Sequence, residues 1–163
     1  MVRIILALLI TTALCLTFGS VTEPVMANQL KRGMPNTITL PNGEVVYDLN
    51  GEWEAVCNLE TRWGSQTYSL GTSKDIVRIT QEGNQFVGIK LIGDEWVGKN
   101  QETVKGVLEK NGFREVHAFA YDNLERRARW VSSKGKISEN GNKIVITARP
   151  HEYGVMTTVL KRK

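Results

Sequence analysis

The residues that could support catalysis are few and lie far apart in the sequence. There are two histidines, His117 and His151, and a carboxylate lies close to each of them in the chain. A histidine beside a carboxylate could act as a general base. Cys57 could be a thiol nucleophile, but the local signatures of thiol proteases are missing around it. A small hydrolase or isomerase that uses His117 or His151 is therefore one functional hypothesis, but we assign no catalytic residue.

Motifs for cofactors and metals are missing from the sequence. It contains no Gly-x-Ser-x-Gly nucleophile elbow, no phosphate-binding loop and no dinucleotide fingerprint. A zinc site needs three or four convergent ligands, and no short spacing of histidine, cysteine and carboxylates supplies them. The sequence therefore favours a protein that binds something over an enzyme, with no cofactor and no metal.

The densest basic segment contains three arginines, Arg126, Arg127 and Arg129. A guanidinium group can hold sulfate, phosphate or carboxylate through two parallel hydrogen bonds. On a strand, Arg127 and Arg129 would share one face. The segment is either an anion-binding or partner-binding patch, or a solvated turn before an edge strand whose charges prevent aggregation. A patch would indicate a protein-interaction module, such as an inhibitor of a secreted enzyme or a subunit of an envelope assembly.

Large aromatic side chains are the candidates for contacts with a small ligand. Trp63, Trp96, Trp130 and Tyr68 are each large enough to line a cavity, and they are equally suited to filling a core. We take these four residues as the candidate ligand-binding set.

The segment Gly51-Glu52-Trp53, on an early predicted strand, resembles the Gly-x-Trp of the lipocalins and the wider calycin group. In that family the glycine turns the chain into the barrel floor and the tryptophan plugs the closed end. The resemblance implies that Gly51 and Trp53 close an up-and-down barrel of eight strands that holds a small apolar or amphipathic ligand. The chain departs from the family in two respects. No long helix follows the strands, and the chain that remains after removal of a predicted signal peptide, residues 28–163, has one cysteine, Cys57, which excludes the family's common disulfide.

Short segments rich in β-branched and aromatic residues, separated by turn signals, predict an all-β fold. We expect an antiparallel barrel of about eight to ten strands, with a two-sheet β-sandwich as the alternative. Turns at 41–44, 82–84 and 139–142 predict three hairpins. Residues 101–121 are either a helix or a fourth hairpin, and Gly106 and Asn111-Gly112 favour the hairpin. Residues 154–160 read as a final strand that is buried on both faces or closes a barrel.

The first 27 residues have the pattern of a secretory signal peptide, with a positive start, an apolar run and Val25-Met26-Ala27 before the cleavage site. The mature chain, residues 28–163, then suits a single barrel domain. We expect export to the periplasm or outside the cell, and no transmembrane segment after the signal peptide is removed. A net charge of +4 is too small to indicate nucleic acid. The expected partner is a small apolar ligand or a protein.

Overall fold

The computed structural model describes residues 35–163, and the predicted signal peptide lies outside them. The described chain folds into strands without helices, so the all-β prediction is confirmed. The strands are β1 (Thr37–Thr39), β2 (Val45–Tyr47), β3 (Gly51–Trp63), β4 (Gln66–Glu82), β5 (Gln85–Lys90), β6 (Glu102–Glu109), β7 (Gly112–Asp122), β8 (Arg127–Ile137), β9 (Lys143–Ala148) and β10 (Gly154–Arg162).

Eight of these strands, β3 to β10, form a closed antiparallel barrel in which each strand is hydrogen-bonded to the next in the chain. The last strand closes the ring on the first, with Gly154 paired to Thr61 and Arg162 paired to Trp53. Closure pairs each strand with two neighbours over at least part of its length, so no strand of the barrel is an edge strand. The structure therefore has the predicted barrel and not the alternative β-sandwich. The remaining two strands, β1 and β2, form a small separate sheet.

The turn signals of the sequence mark real hairpins. The three predicted hairpins correspond to β1–β2, β4–β5 and β8–β9. Residues 101–121 form the β6–β7 hairpin, with Glu109 paired to Gly112 across the turn. The hairpin prediction for this segment is therefore confirmed.

The two ends of the barrel are built from different parts of the chain, because neighbouring strands run in opposite directions. One end, here called the floor, contains the start of β3, the end of β10 and the turns at 83–84, 110–111 and 138–142. The other end, here called the mouth, contains the segments 64–65, 91–101, 123–126 and 149–153.

Alternate residues of the strands face the barrel interior and form the core. In β3 the buried positions are Trp53, Ala55, Cys57 and Leu59. They meet buried side chains of the other strands, including Val77, Ile79, Val104, Ala118, Ile146 and Leu160. The hydrophobic core is thus the filled inside of the barrel.

The β3–β4 hairpin is longer than the barrel wall around it. Strand β4 starts at Gln66, but its pairing with β5 begins only at Val77. Strand β10 pairs with β3 as far as Thr61. The tip of the hairpin, around 62–70, therefore projects past the mouth, and all of the side chains at 62–70 are exposed.

Candidate functional site

The floor of the barrel is sealed by a tryptophan and an arginine. Trp53 is fully buried, and its Nε1 donates a hydrogen bond to the carbonyl oxygen of Leu49 at 2.9 Å. The guanidinium carbon of Arg162 lies 4.5 Å from the centre of the Trp53 ring. Arg162 also donates hydrogen bonds to the carbonyl oxygens of Asn50, at 2.8 Å, and of Asp48. These hydrogen bonds connect the end of β10 to residues 48–50, the segment just before β3.

Gly51 and Trp53 lie together at this sealed end, at the start of β3. Gly51 has a φ of +126°, a backbone conformation that side chains rarely permit. Arg162 lies over the ring of Trp53, but in the sequence it stands in the basic run Lys161-Arg162-Lys163. Nothing in that run points to a tryptophan about a hundred residues earlier.

A small cavity lies inside the barrel beneath the mouth. Its free volume is about 30 Å³, which is enough for one or two water molecules. The deeper part of its lining is apolar and the part near the mouth is polar. The polar and aromatic lining residues are Cys57, Ser73, Asp75, Lys90, Trp96, Thr103, Phe119, Tyr121 and Thr158.

The loop 91–101 covers this cavity, and Trp96 is its central side chain. The Trp96 ring is stacked on Tyr121, with ring centres 6.3 Å apart and planes inclined by 18°. Its Cζ2 and Cη2 atoms lie against Gly71, where a Cβ atom would be only 3.1 Å from the ring. The absence of a side chain at residue 71 therefore lets the indole sit across the mouth.

A buried ionic network holds the loop in place. Lys90 Nζ donates to Asp94 Oδ2 and lies 3.9 Å from Asp75 Oδ2. Asp75 accepts backbone hydrogen bonds from Ile92 at 3.1 Å and Gly93 at 2.8 Å. The side chains of Lys90 and Asp75 are 8% and 2% exposed. Strands β4 and β5 thus bind the loop through charges that have little contact with solvent.

Asp94 organises the loop from within. Its Oδ1 accepts hydrogen bonds from the amides of Trp96 at 2.9 Å and Val97 at 2.8 Å. Burial by itself would raise the pKa of Asp94, but the hydrogen bonds from Lys90 and the Val97 amide outweigh that effect, so the pKa lies below its usual value. The carboxylate is therefore ionised at neutral pH and fixes the position of Trp96.

Cys57 belongs to a row of small polar side chains across the cavity wall. It is paired with Ser73 on β4 and with Thr158 on β10. Burial raises the pKa of the Cys57 thiol, although a hydrogen bond with Thr158 opposes the shift. The thiol is therefore protonated at neutral pH, which makes it a weak nucleophile and a polar lining group.

The four aromatic candidates are not brought together. Trp96 lines the interior cavity, whereas Trp63 and Tyr68 lie on the projecting hairpin and are 75% and 48% exposed. Trp130 lies on the outside of the barrel, with its ring centre 5.3 Å from that of Phe119 and 4.2 Å from Lys105 Nζ. Of this set, the structure places one member in the cavity.

The three arginines of the basic segment have separate roles. Arg129 donates a hydrogen bond to the buried Asp122 at 3.1 Å and another to the carbonyl oxygen of Pro150. Arg127 is paired with Glu125 at 2.6 Å. Arg126 lies in the turn with a φ of +52°. Arg129 therefore joins the end of β7 to the loop 149–153, and the three side chains do not form one uniform patch.

The two histidines also lie apart from each other. His117 Nε2 is 2.6 Å from Glu115 Oε1 on the outer surface of β7. His151 Nε2 is 2.6 Å from Asn123 Oδ1 at the mouth. Across residues 35–163, no group of three histidine, cysteine or carboxylate side chains is arranged to hold a metal ion.

In the same range, no helix is long and apolar enough to cross a membrane.

Comparison of the sequence with family models and with curated proteins found no match.

Proposed function

We propose that this protein is a lipocalin-like binding protein that takes a small amphipathic ligand into the barrel through the mouth. The observation that carries the proposal is the difference between the two ends. The floor is sealed by the packing of Trp53 and Arg162 against the entering chain. The mouth is covered by one loop, whose Trp96 reaches over the interior cavity.

The lining indicates what kind of ligand fits. Toward the mouth the wall offers an ammonium group, a carboxylate, a thiol and hydroxyl groups, from Lys90, Asp75, Cys57, Ser73 and Thr158. Below them the wall is made of apolar side chains such as Val104 and Leu160. Ligand sites generally combine an apolar wall with a few polar groups that fix orientation. We therefore expect an apolar body held in the barrel and a polar group held near the mouth.

The size of the cavity has a consequence for how a ligand enters. Sites for small molecules usually have volumes of about 300–1,000 Å³, whereas this cavity has about 30 Å³. A ligand of more than a few heavy atoms must therefore move Trp96 away from Gly71 and Tyr121. Binding should then change the environment of this indole and its fluorescence.

The experiment is a fluorescence titration with three probes that share a dodecyl chain and differ in the head group: dodecanoate, dodecylamine and dodecanol. Binding predicts a saturable change in tryptophan emission with at least one probe. Trp96→Phe should remove most of that change. Trp130→Phe is the matched control, since Trp130 lies on the outer surface, and it should retain the change. No saturable change with any probe, or an equal change in the Trp96→Phe variant, would contradict the proposal.

A further inference from the structure

The large apolar side chains that remain exposed are concentrated at one end of the barrel. Seven such residues occur in the described chain, and six of them are at the mouth. The exception is Val45, in β2. The six are here called the mouth rim: Trp63, Tyr68, Leu70, Ile92, Leu124 and Tyr153. Single exposed apolar residues are ordinary, but a concentration around one opening indicates an interaction surface.

The rim is formed by the tips of four separate segments, and several of these tips are in contact. Trp63 and Tyr68 lie on one face of the β3–β4 hairpin, because Tyr68 pairs with Thr61, two residues before Trp63. The rings of Trp63 and Tyr153 are 6.2 Å apart. The apolar side chains of the rim are thus distributed over four chain segments, of which the β3–β4 hairpin extends past the barrel wall.

Each of the four tips also carries a cation. Arg62 precedes Trp63 on the hairpin, and Lys99 lies in the loop with Ile92. The turn with Leu124 contains Arg126, and the loop with Tyr153 contains Arg149. All four cations are exposed. Within residues 35–163 none of these four cations is in an ion pair. The carboxylates of Asp94, Asp122 and Glu125 at this end are each paired with a basic residue, whereas those of Glu95 and Glu152 are not. The four tips therefore carry more unpaired cations than unpaired carboxylates.

We propose that the mouth rim docks on the surface of a phospholipid bilayer. Tryptophan and tyrosine are favoured at the level of the lipid head groups because each joins an apolar ring to a polar atom. Arginine beside them can bind the lipid phosphates through paired hydrogen bonds. Separate apolar tips can enter a soft interface, whereas a rigid protein partner would need a continuous complementary face. The geometry thus fits a bilayer better than a second protein.

This inference goes beyond ligand binding and does not depend on it. If both hold, the mouth faces the membrane, and an amphipathic molecule can pass between the bilayer and the barrel without crossing water. The membrane itself would then be the source or the destination of the ligand.

The test is cosedimentation of the full chain with vesicles of equimolar phosphatidylcholine and phosphatidylglycerol. The double variant Trp63→Ser/Tyr153→Ser should bind these vesicles at least about tenfold more weakly than the unaltered chain, since burial of one large side chain is worth roughly a factor of ten or more. Val45→Ser is the matched control, because it removes an exposed apolar side chain away from the mouth, and its binding should change by less than about twofold. All variants share residues 1–34, so any contribution from that segment is common to them.

A second measurement is needed because a variant that folds poorly could also bind vesicles more weakly. Lipids brominated in the acyl chain should quench the fluorescence of Trp63, and the quenching should be weaker in Trp63→Phe. Failure of the unaltered chain to bind vesicles would overturn the proposal, as would equal binding of the double variant. A rim that instead joined two copies of the chain would appear as a dimer lost in the double variant without vesicles, and this too would overturn it.

The proposal of membrane docking and the proposal of an interior ligand site can be refuted separately. The probe titration without vesicles should be unchanged in Trp63→Ser/Tyr153→Ser, because neither side chain lines the cavity. Normal titration with no vesicle binding would refute docking alone. Vesicle binding without any titration signal would refute the interior site alone.

Discussion

Replacing Lys90 by methionine removes the cation that two buried carboxylates share while keeping most of the apolar stem. Asp75 and Asp94, whose side chains are 2% and 11% exposed, would keep their backbone hydrogen bonds but lose the ammonium group between them. A buried charge without its partner is strongly destabilising, because it has lost both water and its counter-ion.

The magnitude follows from what remains around the carboxylates. Breaking a buried ion pair costs about 3–5 kcal/mol. The amide donors to Asp75 and Asp94 offset part of that cost, so we expect Lys90→Met to lower the free energy of unfolding by about 3 kcal/mol. For a domain of this size that corresponds to a melting temperature lower by roughly 12 °C.

The double variant Lys90→Met/Asp94→Asn shows how much of the lost stability comes from the unpaired charge and how much from the changed packing of residue 90. Its amide oxygen can still accept the hydrogen bonds of Trp96 and Val97, while one unpaired charge is gone. We expect it to be more stable than Lys90→Met by about 1 kcal/mol or more. Lys99→Met, in the same loop but exposed, is the control and should change the stability by less than about 0.5 kcal/mol.

The assay is urea unfolding followed by circular dichroism, repeated at decreasing pH. In the unaltered protein the Lys90 hydrogen bond helps to keep the pKa of Asp94 low, so that carboxylate stabilises the fold above its usual pKa of 3.8 and the contribution is lost as the pH falls. In Lys90→Met, burial should raise the pKa instead, so protonation relieves the unpaired charge and the deficit should shrink in acid. A double variant no more stable than Lys90→Met, or a deficit independent of pH, would refute the reasoning.

Three further predictions concern the floor, the thiol and the response to acid. Trp53→Ala should lower the free energy of unfolding, measured with urea, by about 3–5 kcal/mol. Trp63→Ala should change it by less than about 0.5 kcal/mol. Equal losses would mean that Trp53 does not stabilise the floor. In a Cys15→Ser variant, whose one remaining cysteine is Cys57, the thiol should react with Ellman's reagent far more slowly in the native than in the guanidinium-unfolded protein, since burial raises its pKa. Equal rates would contradict the placement of Cys57. Asp122 also has a lowered pKa, because backbone hydrogen bonds from Glu125 and Leu124 outweigh the effect of burial. Its contribution should be present above its usual pKa of 3.8 and lost below it, so Asp122→Asn should flatten the fall of the melting temperature in acid, and an unchanged acid profile would refute this.

Much of the strand pattern could be predicted from local signals. Asn-Gly pairs and short polar clusters between β-branched segments marked the hairpins, because these turns need backbone conformations that few residues adopt. The β6–β7 hairpin followed from Gly106 and Asn111-Gly112 on the same grounds. The resemblance at Gly51 and Trp53 pointed to a barrel, and the structure has one.

The site was less predictable, because inward and outward positions depend on register. The strand ladders contain irregularities between Leu59 and Glu60, between Gly88 and Ile89, and between Val107 and Leu108. Each such shift can reverse which alternate residues face the interior. Strand register also places Trp130 outside the barrel, beside Lys105, although its residue type suits a cavity lining equally well.

The ionic network beneath the mouth was not foreseen either. A lysine is rarely buried unless it is paired, and the partners of Lys90 come from another strand and from a loop. Nothing in the spacing of Asp75, Lys90 and Asp94 indicates that they meet.

The sequence by itself determined where strands and turns occur, because turn chemistry and the alternation of apolar residues act over a few neighbouring positions. Only the tertiary structure decided which side chain covers Trp53, which tryptophan covers the cavity and which one stands on its rim. Those outcomes depend on contacts such as that of Trp53 with Arg162. Such contacts require the correct register between every pair of neighbouring strands, because the eight strands form one closed ring.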